Sequence, residues 1–88
     1  MAPKRVDNNQ AEIVRALRDV GASVTCTHEI GHGFPDLVVG FRGVTLLLEV
    51  KSEKGKLTPD EQEWRDGWRG QCYTVRSVLD ALECIKGL

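Results

Sequence analysis

Two aliphatic runs separated only by Arg42-Gly43 constrain this chain more than any other feature. Residues 36–41 and 44–51 are rich in Leu and Val, and the Arg-Gly between them is turn chemistry, so they predict a β-hairpin. The second run is apolar at nearly every position before Glu49, the pattern of a central strand covered on both faces. Such a strand needs helices to cover it.

The rest of the sequence supplies them. From about residue 8, Ile13, Val14, Leu17 and Val20 recur at helical spacing until Gly21 ends the run. Residues 22–27 predict a short strand with Val24 and Cys26 on one side, and residues 28–35, holding Gly31, Gly33 and Pro35, predict a loop. Thr58-Pro59-Asp60-Glu61 is a capping box with Pro at the first helical position; its helix carries Trp64 and Trp68 and runs to near Gly70. Residues 72–75 form a fourth strand. Ser77 to Asp80 is a second capping box, opening a last helix that buries Val78, Leu82 and Ile85. The expected architecture is α/β, a small mixed β-sheet flanked by helices in the order α-β-β-β-α-β-α.

Length and composition set the outer bounds. Eighty-eight residues make a single domain, residues 1–88, with residues 1–7, including Lys4 and Arg5, expected as a flexible arm. A chain this short buries about 60–65% of its unfolded surface, so oligomerisation or a bound ion is a natural supplement. Three cysteines are too few for a disulfide framework, and no apolar run approaches the roughly 20 residues of a membrane span. The expected location is the cytoplasm. Twelve basic against 13 acidic side chains argue against a nonspecific nucleic-acid coat, which needs excess Lys and Arg, but leave room for an enzyme acting on nucleic acid.

The chemistry sits at the end of the central strand. Glu49 closes a run expected to be buried, and Lys51, two residues on, shares its face. If the hairpin turns on Arg42 and Gly43 alone, the pairing runs from 41 with 44 to 36 with 49, and Asp36 faces Glu49. A four-residue loop would keep both carboxylates on one side, whereas a three-residue loop would put them on opposite faces. Like charges directly opposed across a sheet are destabilising, and a buried carboxylate needs a partner. A divalent cation resolves the conflict: two hard oxygen ligands, completed by water and a substrate phosphate, suit Mg²⁺. Lys51 beside the ion would orient the attacking water or neutralise developing phosphorane charge. The chemistry this suggests is metal-assisted phosphodiester hydrolysis.

Pro35-Asp36, followed after twelve residues by Glu49-Val50-Lys51, is similar to the PD-(D/E)xK nuclease signature. The wider string, Gly31-His32-Gly33-Phe34-Pro35-Asp36-Leu37, then 48–59 from Leu48 through Thr58-Pro59, and Gln62 beyond, resembles the VRR-NUC family. The resemblance runs from the first helix to the end. It implies a restriction-endonuclease-like fold, with Asp36, Glu49 and the main-chain carbonyl of Val50 as ligands of Mg²⁺ or Mn²⁺, Lys51 as the catalytic lysine, and Gln62 as a catalytic residue on the following helix. It also implies a further acidic ligand from the first helix, for which Glu12 is the matching candidate and Asp7 the alternative. Stand-alone family members of this length resemble phage or bacterial homodimeric Holliday-junction resolvases, and a phage enzyme would act in the host cytoplasm. The implied function is a Mg²⁺-dependent, structure-specific DNA endonuclease acting on branched DNA, without an organic cofactor. The alternatives are a nuclease for flap, nicked or other branched DNA, a non-catalytic DNA-binding module, or an adaptor that meets a protein partner through Trp64 and Trp68.

Lys54, Lys56, Arg65 and Arg69 are the candidate phosphate contacts, with Arg65 and Arg69 one turn apart on one helix face. His32, in the loop leading to Asp36, is another. Trp64 and Trp68 are read as packing residues rather than a base-stacking platform. Cys26, His28 and His32 match no structural zinc spacing, and Cys26 is read as a buried strand residue. Leu79, Leu82, Ile85 and Leu88 give the last helix more apolar surface than one sheet face needs, the motive for expecting a dimer.

Overall fold

Arg42 and Gly43 form the whole turn of the hairpin. Their φ angles are 53° and 80°, the left-handed pair that a two-residue turn needs to match the twist of its strands. Phe41 therefore pairs with Val44, and the ladder runs without a bulge to Leu37 opposite Leu48. The computed structural model describes residues 9–88; the arm expected at residues 1–7, with Lys4, Arg5 and Asp7, lies outside them.

The elements follow the expected order: α1 (Asn9–Asp19), β1 (Ser23–Cys26), β2 (Leu37–Phe41), β3 (Val44–Val50), α2 (Pro59–Gly67), β4 (Cys72–Val75) and α3 (Val78–Lys86). They build one four-stranded sheet in the order β1-β2-β3-β4, antiparallel across the first three strands and parallel between β3 and β4. A parallel pair requires a crossover, and the segment holding α2 supplies it.

Strand alternation sorts the side chains. Leu37 and Val39 of β2 join Leu46, Leu48 and Val50 of β3 in a core closed by Ile13 and Leu17 of α1 and Ala81 and Ile85 of α3. The opposite face carries Glu49 and Lys51. It faces the side of α2, which buries none of its own residues. One face is therefore packed by two helices, and the other is left partly open where the polar residues sit.

Several local expectations need correction. α1 ends at Asp19, so Val20 falls outside the buried stripe and is half exposed. Cys26 is exposed at the end of edge strand β1 rather than buried, and all three cysteines are free thiols. At α3, Ser77 Oγ accepts from Asp80 N, but the Asp80 carboxylate accepts from Arg76 N, one residue before the cap, so the reciprocal box is not formed. Ala81 and Ile85 are the buried residues of α3, while Val78 and Leu82 pack partly against the core and Leu79 is exposed.

α2 stops at Gly67 because Trp68 turns out of the helix, with φ −85° and ψ 134°, and stacks on Trp64 at a centroid separation of 4.9 Å. Gly70 admits that indole, since a Cβ there would lie 2.9 Å from Trp68 Nε1. Arg69 consequently lies beyond the helix, and its expected one-turn relation to Arg65 is absent.

Candidate active site

The register that closes the hairpin also builds the site. One step outward from Leu37 and Leu48 lie Asp36 and Glu49, so the two carboxyl groups meet across the ladder in hydrogen-bond contact. Asp36 is held from both sides: its N–H donates to Leu48 O at 3.1 Å and its carbonyl accepts from Thr27 N at 2.7 Å. Its Oδ2 accepts from Val50 N at 2.8 Å, which ties the carboxylate to the strand that carries Glu49.

Glu49 is 3% exposed. Burial, then the charge and hydrogen bond of Asp36, then Glu61, push its pKa from 4.5 up to about 9. At neutral pH Glu49 therefore keeps its proton. Lys51 Nζ lies 3.8 Å from Glu49 and 2.8 Å from Glu61. Burial pulls the pKa of this ammonium down, but the hydrogen bond and charge of Glu61, together with Glu49 and Asp36, outweigh it and the net shift is upward. Burial raises the Glu61 pKa, but its bonds to Lys51 and to Thr58 N–H outweigh this and the net shift is downward.

These groups line a cleft of about 370 Å³, together with His28, His32 and Gln10. The loop from Gly31 to Phe34 forms its rim against the first turn of α2. Gly33 has φ +83°, and a Cβ there would run into the Asp60 carbonyl, lying 2.7 Å from the Asp60 carbonyl carbon. Only glycine lets the loop and helix approach this closely.

Asp36, Glu49, Val50, Lys51 and His32 are thus brought together, and the other expected residues are not. Glu12 is exposed on α1, because the inward stripe of that helix is Gln10, Ile13, Val14 and Leu17, and a residue two positions from Gln10 points elsewhere. Gln10, 6% exposed, reaches the cleft instead. Gln62 is exposed and spends its amide on Asp66, 2.8 Å away, while its neighbour Glu61 faces the cleft. Arg65 turns back onto the sheet to donate to Thr74 Oγ1, and Arg69 donates to Asp66 O. Lys54 and Lys56 are exposed and do not line the cleft. Gln10 was detectable as the first member of the apolar stripe; Glu61 was visible only as a capping residue.

The donor set fits a hard divalent cation. Glu49 sits beside Asp36 as a protonated acid, and a cation can replace that proton. Among the described residues no three His, Cys, Asp or Glu side chains converge as a closed chelate. The remaining positions would come from the main-chain carbonyl of Val50, water and substrate, in keeping with the preference of Mg²⁺ for retained waters.

Fold and site together define a mixed-sheet α/β domain with an acidic pair and a lysine at the open end of its central hairpin. No family model and no curated protein matches the sequence. The chain is similar to a solved structure described as a VRR_NUC domain, at 26% identity and a TM-score of 0.72, covering 88% of this chain and 89% of that one. This likeness supports a VRR-NUC family nuclease of the restriction-endonuclease-like fold. Among the described residues, no helix is long and apolar enough to cross a membrane.

Proposed function

We propose that this chain is a Mg²⁺- or Mn²⁺-dependent endodeoxyribonuclease specific for branched DNA, working as a homodimer of the Holliday-junction resolvase type. The observation that carries the reading is the register-enforced meeting of Asp36 and buried Glu49 beside Lys51. Asp36, Glu49 and the Val50 carbonyl would hold the ion, which when bound supplies charge stabilisation at phosphorus and a more acidic water. Val50 N–H fixes the orientation of Asp36. Lys51 places an ammonium beside Glu49 in the cleft, within reach of a bound phosphate, and would offset the charge that develops on it. His32 stands at the cleft mouth as a phosphate contact. Lys54 and Lys56 sit on the exposed loop after β3, where a duplex entering the cleft can meet them.

Dimerisation is supported by chemistry and by surface. Symmetric cutting of a four-way junction needs two sites related by a two-fold axis, and each chain carries one such cleft. On the far side, Val20 and Leu79, 50% and 67% exposed, border an apolar groove with Phe41 and Leu82. Incubation with labelled duplex, flap, nicked and four-way-junction DNA in Mg²⁺, Mn²⁺ and EDTA tests the reading. Junction cleavage that needs the cation and is lost in Lys51→Ala supports it, and cation-independent cleavage overturns it. Light scattering that gives a monomer at micromolar concentration would leave flap or nicked DNA as the substrate.

A further inference from the structure

The cap of α2 serves two residues at once. Glu61, the third residue of the helix, accepts from Thr58 N at 2.8 Å while its own N–H donates to Thr58 Oγ1 at 3.2 Å. The oxygen that takes the Thr58 bond, Oε1, also lies 2.8 Å from Lys51 Nζ, nearer than the Glu49 carboxyl at 3.8 Å. A capping glutamate ordinarily has its carboxylate engaged only with its own helix and water. Here the carboxylate turns inward, and the Glu61 and Lys51 side chains keep only 20% and 15% of their exposure.

We infer that Glu61 is the positioning residue for Lys51: its carboxylate, immobilised by the helix cap, holds the ammonium in the cleft beside Glu49. The inference deepens the proposed nuclease reading and rests on it. A lysine side chain has four rotatable bonds, and a free ammonium samples many positions before it meets a phosphate. A fixed carboxylate removes that search and aims the charge in advance. The anchor is firm because the backbone sets it. Gly33 lets the loop that delivers Asp36 press against Asp60, so the distance from the first turn of α2 to the carboxylate pair depends on main-chain contact.

Glutamine at the third helical position completes a capping box as glutamate does. Glu61→Gln therefore separates the cap from the charge. In this variant Tm stays near that of the wild type, kcat on branched DNA falls about tenfold, and KM changes by less than about twofold. A second readout needs no cleavage. Trace acylation of the cation-free protein with acetic anhydride, mapped by mass spectrometry, labels Lys51 severalfold faster in Glu61→Gln, with exposed Lys86 as internal standard. Ser77→Ala, which removes the cap of α3, controls for lost stability and keeps wild-type kcat well below its melting temperature. Wild-type kcat or wild-type Lys51 labelling in Glu61→Gln overturns the inference, as does an equal kcat loss in Ser77→Ala. Unimpaired cleavage by Lys51→Ala sinks the underlying nuclease reading instead, an outcome the labelling result distinguishes.

Discussion

The two faces of β3 divide the work of this domain. On one face Leu46, Leu48 and Val50 are buried among aliphatic neighbours from β2, α1 and α3. On the other, Glu49 and Lys51 occupy the same stretch of backbone, with a buried acid that keeps its proton and an ammonium that lies 2.8 Å from Glu61 and 3.8 Å from Glu49. The first face gains stability from every methylene it hides. The second holds two acids side by side, an arrangement that a stable sheet would avoid and that costs Glu49 its charge. A strand that must both anchor the core and present reactive groups can do so because successive side chains point opposite ways.

The comparison predicts that substitutions on the two faces have separable effects. The largest is expected on the polar face: Glu49→Gln keeps the shape, loses a metal ligand, and lowers cleavage by about a thousandfold or more, equivalent to about 4 kcal/mol of transition-state stabilisation. Its chemical-denaturation midpoint at neutral pH stays at or above that of the wild type, because no buried acid remains. On the aliphatic face, Leu46→Ala should cost about 3 kcal/mol of stability by denaturant titration. Cleavage per folded molecule should remain that of the wild type. If Leu46→Ala lost activity while folded, the division between the faces would fail.

Gly33→Ala tests the seam that joins the loop to α2. It adds a Cβ against the Asp60 main chain at a φ of +83°, and about 2 kcal/mol of destabilisation is expected by thermal melting. Activity should fall with it, since both Asp36 and Glu61 are positioned across that contact.

The smallest effect, taken per pH unit, is a pH slope. The folded protein keeps the Glu49 proton to about pH 9, whereas an unfolded chain releases it near 4.5. Between those values the folded state binds more protons, so this group's contribution to stability is full below about 4.5 and is lost as pH rises towards 9. One proton limits the slope to about 1.4 kcal/mol per pH unit. Denaturant titrations of the cation-free protein from pH 5 to 9 should show this decline, Glu49→Gln should flatten it, and Mg²⁺ should offset it with release of a proton. A flat wild-type profile would mean that Glu49 is ionised in the free protein.

How much of this was legible beforehand varies by residue. The hairpin could be read from its two runs and the Arg-Gly between them, and the Asp36–Glu49 juxtaposition followed only on the condition of a two-residue turn, which the structure meets. The N-cap of α2 was equally clear from Thr58-Pro59-Asp60-Glu61. Glu12 and Gln62 came from the family resemblance alone, and the structure turns both outward, because which face a short helix turns inward depends on packing. Gln10 and Glu61 reach the cleft because the apolar stripe of α1 and the close contact at Gly33 set the rotation and distance of their helices.

By itself the sequence determined the order of elements and the place of the turn, since each follows from local chemistry and strand periodicity; it allowed more than one register, and the structure selected the two-residue turn that makes the two acids meet. The tertiary structure alone decided which helical side chains face that meeting, which arginines turn back onto the protein, and where Lys51 is held. Those outcomes depend on how helices rotate and dock against the sheet; the apolar stripe of α1 encodes part of that rotation, whereas α2 buries no stripe that could encode its own.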